Sequence, residues 1–192
     1  MGKNLLTRRA FGIGSLALLT SGCASNYRSP DSMSDYQVPR QYRRRRVRYD
    51  GRELPGTIVV DTSERYLYYV EGGGMATRYG VAVGEAGLSL KGEATVGRKA
   101  EWPSWTPTAS MIARKPRLQQ YAGGVEGGLH NPLGAAALYL YRGDQDTLYR
   151  LHGTNEPWSI GQAVSNGCVR LTNDDIVELY ERTLLGTKVL II

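Results

Sequence analysis

From residue 57 onward the chain is written in short runs of β-branched and aromatic residues separated by polar turns, a pattern of strands rather than helices. Residues 57–61 (TIVVD) and 65–70 (RYLYYV) flank a short polar turn, and Gly72-Gly73-Gly74 punctuate the chain before a third run over 75–83. Together they predict a meander. Further strands are predicted over 110–113, 137–141, 147–152 and 187–192. Only one segment has the period of a helix. It starts near Thr172-Asn173 and runs through Arg182, with acids in its first turn, Ile176, Leu179, Tyr180 and Leu184 on one face, and Gly186 as its terminator. The tyrosines alternate within strands, as expected of sheet packing. Residues 56–192 suffice for one hydrophobic core, so the prediction is a single, mostly β domain with one C-terminal helix.

The N-terminal part follows other rules. Residues 1–23 hold Lys3, Arg8 and Arg9, no acid, and an apolar stretch from Ala10 to Leu19 that is too short to span a bilayer but suits an export signal. Thr7-Arg8-Arg9-Ala10-Phe11 resembles a twin-arginine signal, with the general secretory route as the alternative. Leu19-Thr20-Ser21-Gly22-Cys23 resembles a lipoprotein processing site, at which an acylated Cys23 becomes the first mature residue and anchors the protein to a membrane. These features predict a periplasmic location. Residues 24–55, rich in Ser, Tyr, Asp and Pro and ending in the run Arg43-Arg44-Arg45-Arg46-Val47-Arg48, read as a disordered tether. Of the 24 Lys and Arg residues, three lie in the leader and eight between Arg28 and Arg52, which leaves 13 against 15 acids in the remainder. The net charge of +6 therefore belongs to the leader and the tether, and gives no reason to expect nucleic acid as a partner of the domain.

Chemistry concentrates in HGTNEPWSIGQAVSNGCVRL. Cys168 is the only cysteine besides Cys23, and it follows His152, one of two histidines, by sixteen positions. A cysteine within reach of a histidine is the minimal unit for thiolate attack on a carbonyl, because the imidazole takes the proton and the ion pair holds the sulfur charged. A lone cysteine is also commonly a small buried apolar residue. The context of Cys168 favours chemistry: it stands in the small, polar stretch Ser165-Asn166-Gly167-Cys168, where backbone N–H groups can face a developing oxyanion. No histidine follows Cys168, which disfavours peptidases that place cysteine before histidine. Two histidines with no HxxxH or CxxC spacing give no zinc set, and no cofactor is called for.

On these residues the chain resembles the L,D-transpeptidases of bacterial cell-wall synthesis, the YkuD-type catalytic domain of ErfK/YbiS-like exported proteins. The resemblance covers most of residues 56–192 and rests on HGT, the spacing to the cysteine, SNGCVRL with Arg170, ATVGRKAEWPSWTP and NPLGAAALYL. It implies a β-sandwich or barrel-like catalytic domain, with Cys168 as nucleophile, His152 as general base and the Gly153 carbonyl as orienter of the imidazole. Ser165, Asn166, Gly167, Arg170 and Trp158 are the candidates for substrate or oxyanion contacts. Asn166 stands where the family usually has a second histidine, and His130 is a local peculiarity. The implied reaction is attack on a peptidoglycan stem tetrapeptide, release of D-alanine, and transfer of the acyl group to an amine of another stem or of an outer-membrane protein. The alternatives are hydrolysis by the same site, as a carboxypeptidase or amidase, and a non-catalytic wall-binding lipoprotein.

Overall fold

The C-terminal strand decides how the two halves of the chain join. The structure is a computed structural model that describes residues 36–85 and 90–192, and the expected leader, with Cys23, lies outside them. Its strands are β1 (Arg45–Arg48), β2 (Ile58–Asp61), β3 (Tyr66–Glu71), β4 (Met75–Gly80), β5 (Val83–Gly84), β6 (Gly92–Glu101), β7 (Ala136–Arg142), β8 (Gln145–His152), β9 (Ala163–Ser165), β10 (Val169–Arg170) and β11 (Lys188–Ile191). Nine form one sheet in the order β1-β4-β3-β2-β11-β6-β7-β8-β10, and β5 pairs with β9 in a second. β11 thus stitches the N-terminal meander to β6–β8, parallel to β2 on one side and antiparallel to β6 on the other. Just after β4, Ala82 forms a bridge with Arg170 of β10, which draws the two ends of the large sheet together. The predicted mostly β, barrel-like class agrees with this architecture.

Alternation sorts the side chains. One face of the large sheet closes on a single core that includes Ile58, Leu67, Val96, Leu138, Leu151 and Val189, all fully buried. Helix α2 (Asn173–Arg182) covers it with Ile176 and Leu179, also fully buried. Thr172 caps this helix, its Oγ1 accepting from the Asp175 N–H at 3.1 Å. The helix ends at Arg182, so Leu184, expected on its apolar face, lies beyond it and is 74% exposed.

Other expectations are corrected. Residues 110–113 are not a strand: Thr108 Oγ1 accepts from the Met111 N–H and starts the short helix α1 (Ala109–Arg114). The run over 75–83 is broken into β4 and β5. β6, the longest strand, had no clear signal, because its sequence GEATVGRKAE is mostly polar and only Ala94 and Val96 reach the core. The largest correction concerns the arginine run. Within residues 24–55, the described part from residue 36 is built into the fold rather than being a free tether, with a 3-10 turn at Arg40–Tyr42 followed by β1 on the open edge of β4. Arg44 reaches Asp175 and Glu178 of α2, and Arg46 Nε lies 2.7 Å from Glu71. Tyr42 and Tyr49 pack against Tyr66 and Tyr68, each pair with ring centroids 5.5 Å apart. Charge neutralisation and aromatic contacts, neither of them visible in composition, order a segment that would otherwise stay solvated.

Candidate active site

His152 ends β8, and Cys168 immediately precedes β10, which runs parallel to β8 with Arg170 opposite His152 and Val169 opposite Leu151. Side chains alternate along a strand, so Arg170 shares the face of His152 and Arg150 while Leu151 and Val169 point into the core; Cys168, one residue before β10, brings its Sγ against the Leu148 carbonyl and the Arg150 backbone N–H of β8. The thiol is thereby brought to β8, the strand that His152 ends, beside Arg150 two residues before the histidine.

The imidazole is oriented by its neighbour in the chain. Its Nδ1 lies 2.6 Å from the Gly153 carbonyl oxygen; a carbonyl only accepts, so Nδ1 carries the proton and Nε2 keeps the basic lone pair. Burial pushes the His152 pKa down to about 3, and the nearby positive charges of Arg170 and Arg150 add to this. Burial pushes the Cys168 thiol up, against the opposing pull of the Arg150 backbone N–H and of both guanidinium charges. Both shifts favour neutral thiol and neutral imidazole over the ion pair expected from the sequence. Desolvation penalises both charges, and two arginines penalise the imidazolium further. The half-buried sulfur faces the Leu148 carbonyl at 3.8 Å.

The residues of the cysteine turn divide their roles. Ser165 Oγ donates to the Cys168 carbonyl at 2.5 Å and accepts from the Gly167 N–H at 3.1 Å, so it braces the turn. The Gly167 N–H is thereby engaged, and is not the free oxyanion donor that the sequence suggested. Asn166 lines a cleft of about 640 Å³, and its Oδ1 is buried with no partner among the described residues. Arg170 lines the same cleft and pairs with Glu156 through Nη1 and Oε2 at 2.7 Å. Trp158, on the 3-10 turn Pro157–Ser159, is 53% exposed on the cleft wall. Trp105, Tyr121, Lys115 and His130 line it too, so His130 sits within the cleft although its sequence context marked it only as a peculiarity. Among the described residues no group of three or more His, Cys, Asp or Glu side chains could hold a metal ion.

Two positioning features escaped the sequence reading. Asn173, at the start of α2, accepts through Oδ1 from the Ala135 N–H at 2.9 Å and the Thr154 N–H at 3.2 Å, tying the loop before β7 and the turn after His152 to the helix that follows the nucleophile. Gly134 makes room for it: its φ is +63°, and a Cβ there would lie 2.1 Å from Asn173 Oδ1. The second is the Asp146–Arg150 ion pair, bidentate at 2.6 and 2.9 Å, which holds Arg150 over the Tyr139 ring beside the thiol. The first joins residues far apart in sequence; the second is local to β8, but its placement over Tyr139 depends on the irregular ladder with β7, where local pattern carries no signal.

The model of the YkuD family, the L,D-transpeptidase catalytic domain, matches residues 55–191. The chain belongs to this family. Among curated relatives it is 36% identical over 191 residues to the probable L,D-transpeptidase YcfS of Escherichia coli K12, across 96% of this chain and 57% of that protein. It spans about half the length of the curated relatives it matches. Among solved structures, an L,D-transpeptidase from Mycobacterium smegmatis superposes with a TM-score of 0.51 at 17% identity, over 71% of this chain and 58% of the other, a likeness of fold. A Brucella melitensis chain described as a probable carnitine operon oxidoreductase is 46% identical, with a TM-score of 0.55 over 81% of this chain and 96% of its own length. The cysteine turn and HGT motif of this L,D-transpeptidase domain lie within the matched region.

Proposed function

We propose that the chain is a cysteine-dependent peptidoglycan L,D-transpeptidase, exported to the periplasm by its leader and held at a membrane through a lipidated Cys23. The observation that carries the reading is the approach of Cys168, immediately before β10, to β8, the strand that His152 ends, with the proton of Nδ1 committed to Gly153. As Sγ attacks the carbonyl carbon of the third residue of a stem tetrapeptide, Nε2 takes the thiol proton. The tetrahedral intermediate collapses with cleavage of the C–N bond, and the imidazolium returns that proton to the departing amine of D-alanine. The acyl group is left on sulfur as a thioester. An amine of a second stem, or of an outer-membrane protein, then attacks the thioester with His152 again as base, and the thiol is regenerated. The arginines beside the sulfur favour the anionic nucleophile and disfavour an idle imidazolium, so proton transfer is coupled to attack rather than preceding it. Exclusion of water from the thioester is what separates transfer from hydrolysis.

Mass spectrometry after incubation with a carbapenem tests the reading. The expected result is one covalent adduct on Cys168, abolished in Cys168→Ala and slowed by about 10²-fold or more in His152→Ala. A folded wild-type protein that forms no adduct and releases no D-alanine from tetrapeptide stems would be a binding module instead. Product analysis with an added acceptor stem divides transfer from hydrolysis.

A further inference from the structure

We infer that the segment leading into β1 is a strap that positions the substrate cleft, with Tyr42 as the wedge holding the loop over residues 157–162 in place. The inference rests on the function proposed above and on the stem peptide binding in the cleft that Asn166 and Arg170, on either side of the nucleophile, line. Its geometry stands independently of that function.

Tyr42 is inserted between two glycines from separate parts of the chain. Its backbone lies against Gly80 at the end of β4, where a Cβ would come within 2.4 Å of the Tyr42 carbonyl oxygen. Its ring lies against Gly161, where a Cβ would come within 2.2 Å of Cε2, and Gly161 has φ +87°. Neither glycine can carry a side chain without displacing the tyrosine. The wedge is itself fixed: the Tyr42 N–H donates to the Pro39 carbonyl at 2.8 Å, and both Tyr66 Oη and Arg78 Nη2 donate to the Gln41 carbonyl at 3.2 Å. Arg78 in turn stacks 4.0 Å from the centroid of the Tyr66 ring.

The loop held by this wedge is part of the cleft wall. Trp158, Ser159 and Gln162 line the cleft, and Glu156, just before them, pairs with Arg170 two residues past the nucleophile. The segment after β4 grips the loop by two backbone bonds, Gly161 N–H to the Val81 carbonyl and Val83 N–H to the Gln162 carbonyl, each 3.0 Å long. Tyr42 supplies bulk against the same turn. Without the ring, Gly161 borders a void and keeps the widest backbone freedom of any residue, so the Trp158 turn loses its fixed place over the cleft. The chain that the sequence presented as a passive linker is thereby joined mechanically to substrate binding. Tyr42 touches no reacting atom; it acts through the loop.

The test compares Tyr42→Ala and Tyr42→Phe with wild type in the full chain. Backbone hydrogen exchange is read first: amides of residues 158–162 should exchange about tenfold faster in Y42A, while those of the buried strands β7 and β8 keep their protection, and Y42F should match wild type. KM for the tetrapeptide stem should rise roughly three- to tenfold in Y42A with kcat reduced less, and Y42F should restore it. Alkylation of Cys168 by iodoacetamide, which needs no cleft, should be unchanged. Unaltered exchange over 158–162 in a folded Y42A protein overturns the inference, as does an equal loss of protection throughout the sheet. If wild type shows no transpeptidase or hydrolase activity, the functional reading fails while the exchange experiment still decides the strap.

Discussion

At the scale of the residue, the environment of His152 and Cys168 matters more than their identity. The imidazole is neutral because burial and two arginines hold its pKa near 3, well below the value of a free histidine. Protons therefore bind the unfolded chain before they bind the folded one. Between pH 6.5 and about 3 this single group removes stability as the pH falls, by at most ~1.4 kcal/mol per pH unit. His152→Gln should flatten that part of the stability curve in denaturant titrations at successive pH values. The thiol, pushed up by burial, has the opposite sign: its contribution is complete below its unfolded pKa and is lost as the pH rises toward the folded one. In catalysis the same shifts predict that kcat/KM for stem peptide, which reports the free enzyme, has no acid limb near pH 6.5. A limb at that pH assigned to His152 by its loss in His152→Gln would mean that the ring is solvated.

Elements position these residues through contacts that cross the chain. The parallel pairing of β8 and β10 brings the nucleophile's turn beside the strand that the base ends, and α2 covers β7 and β8 with Ile176 and Leu179. Asn173 is where helix, histidine turn and the loop before β7 meet. Asn173→Ala leaves the N–H groups of Ala135 and Thr154 without the oxygen they share, and burying unpaired donors costs about 1–3 kcal/mol each. The expected loss is thus roughly 2–6 kcal/mol in urea or guanidinium unfolding, with slower acylation of Cys168 by carbapenem in the fraction that stays folded. A loss below about 0.5 kcal/mol would show that other groups satisfy these donors.

For the whole molecule, the segment from residue 36 to β1 is part of the domain although the family match begins at residue 55. Burial pushes the Asp175 carboxyl up to about 6, and Arg44, 3.5 Å away, works against that shift. A chain started at residue 55 loses this partner and uncovers β4 as an open edge, which is a template for pairing with another copy. Its thermal midpoint should fall and it should associate with rising concentration in light scattering, whereas a chain started at residue 36 should remain monodisperse. Equal behaviour of the two would reduce β1 to an ornament of the edge.

The legible parts of this protein were those written locally. Alternation located β2, β3, β7, β8 and β11, caps and acids located α2, and the spacing of HGT to SNGCVRL named His152 and Cys168, because each signal is carried by neighbours in sequence. β6 was hidden: a strand with polar residues on most of its positions shows its place only through β11 and β7 on either side. The order of Arg44, Arg46 and Tyr42 was hidden too, since composition describes a segment without knowing that acids, aromatic rings and two glycines wait for it elsewhere. Sequence determined which groups can do chemistry. Only the tertiary structure decided their charge states, the loss of the Gly167 N–H to Ser165 and the support beneath the cleft, because desolvation and hydrogen-bond partnership depend on what the fold brings alongside.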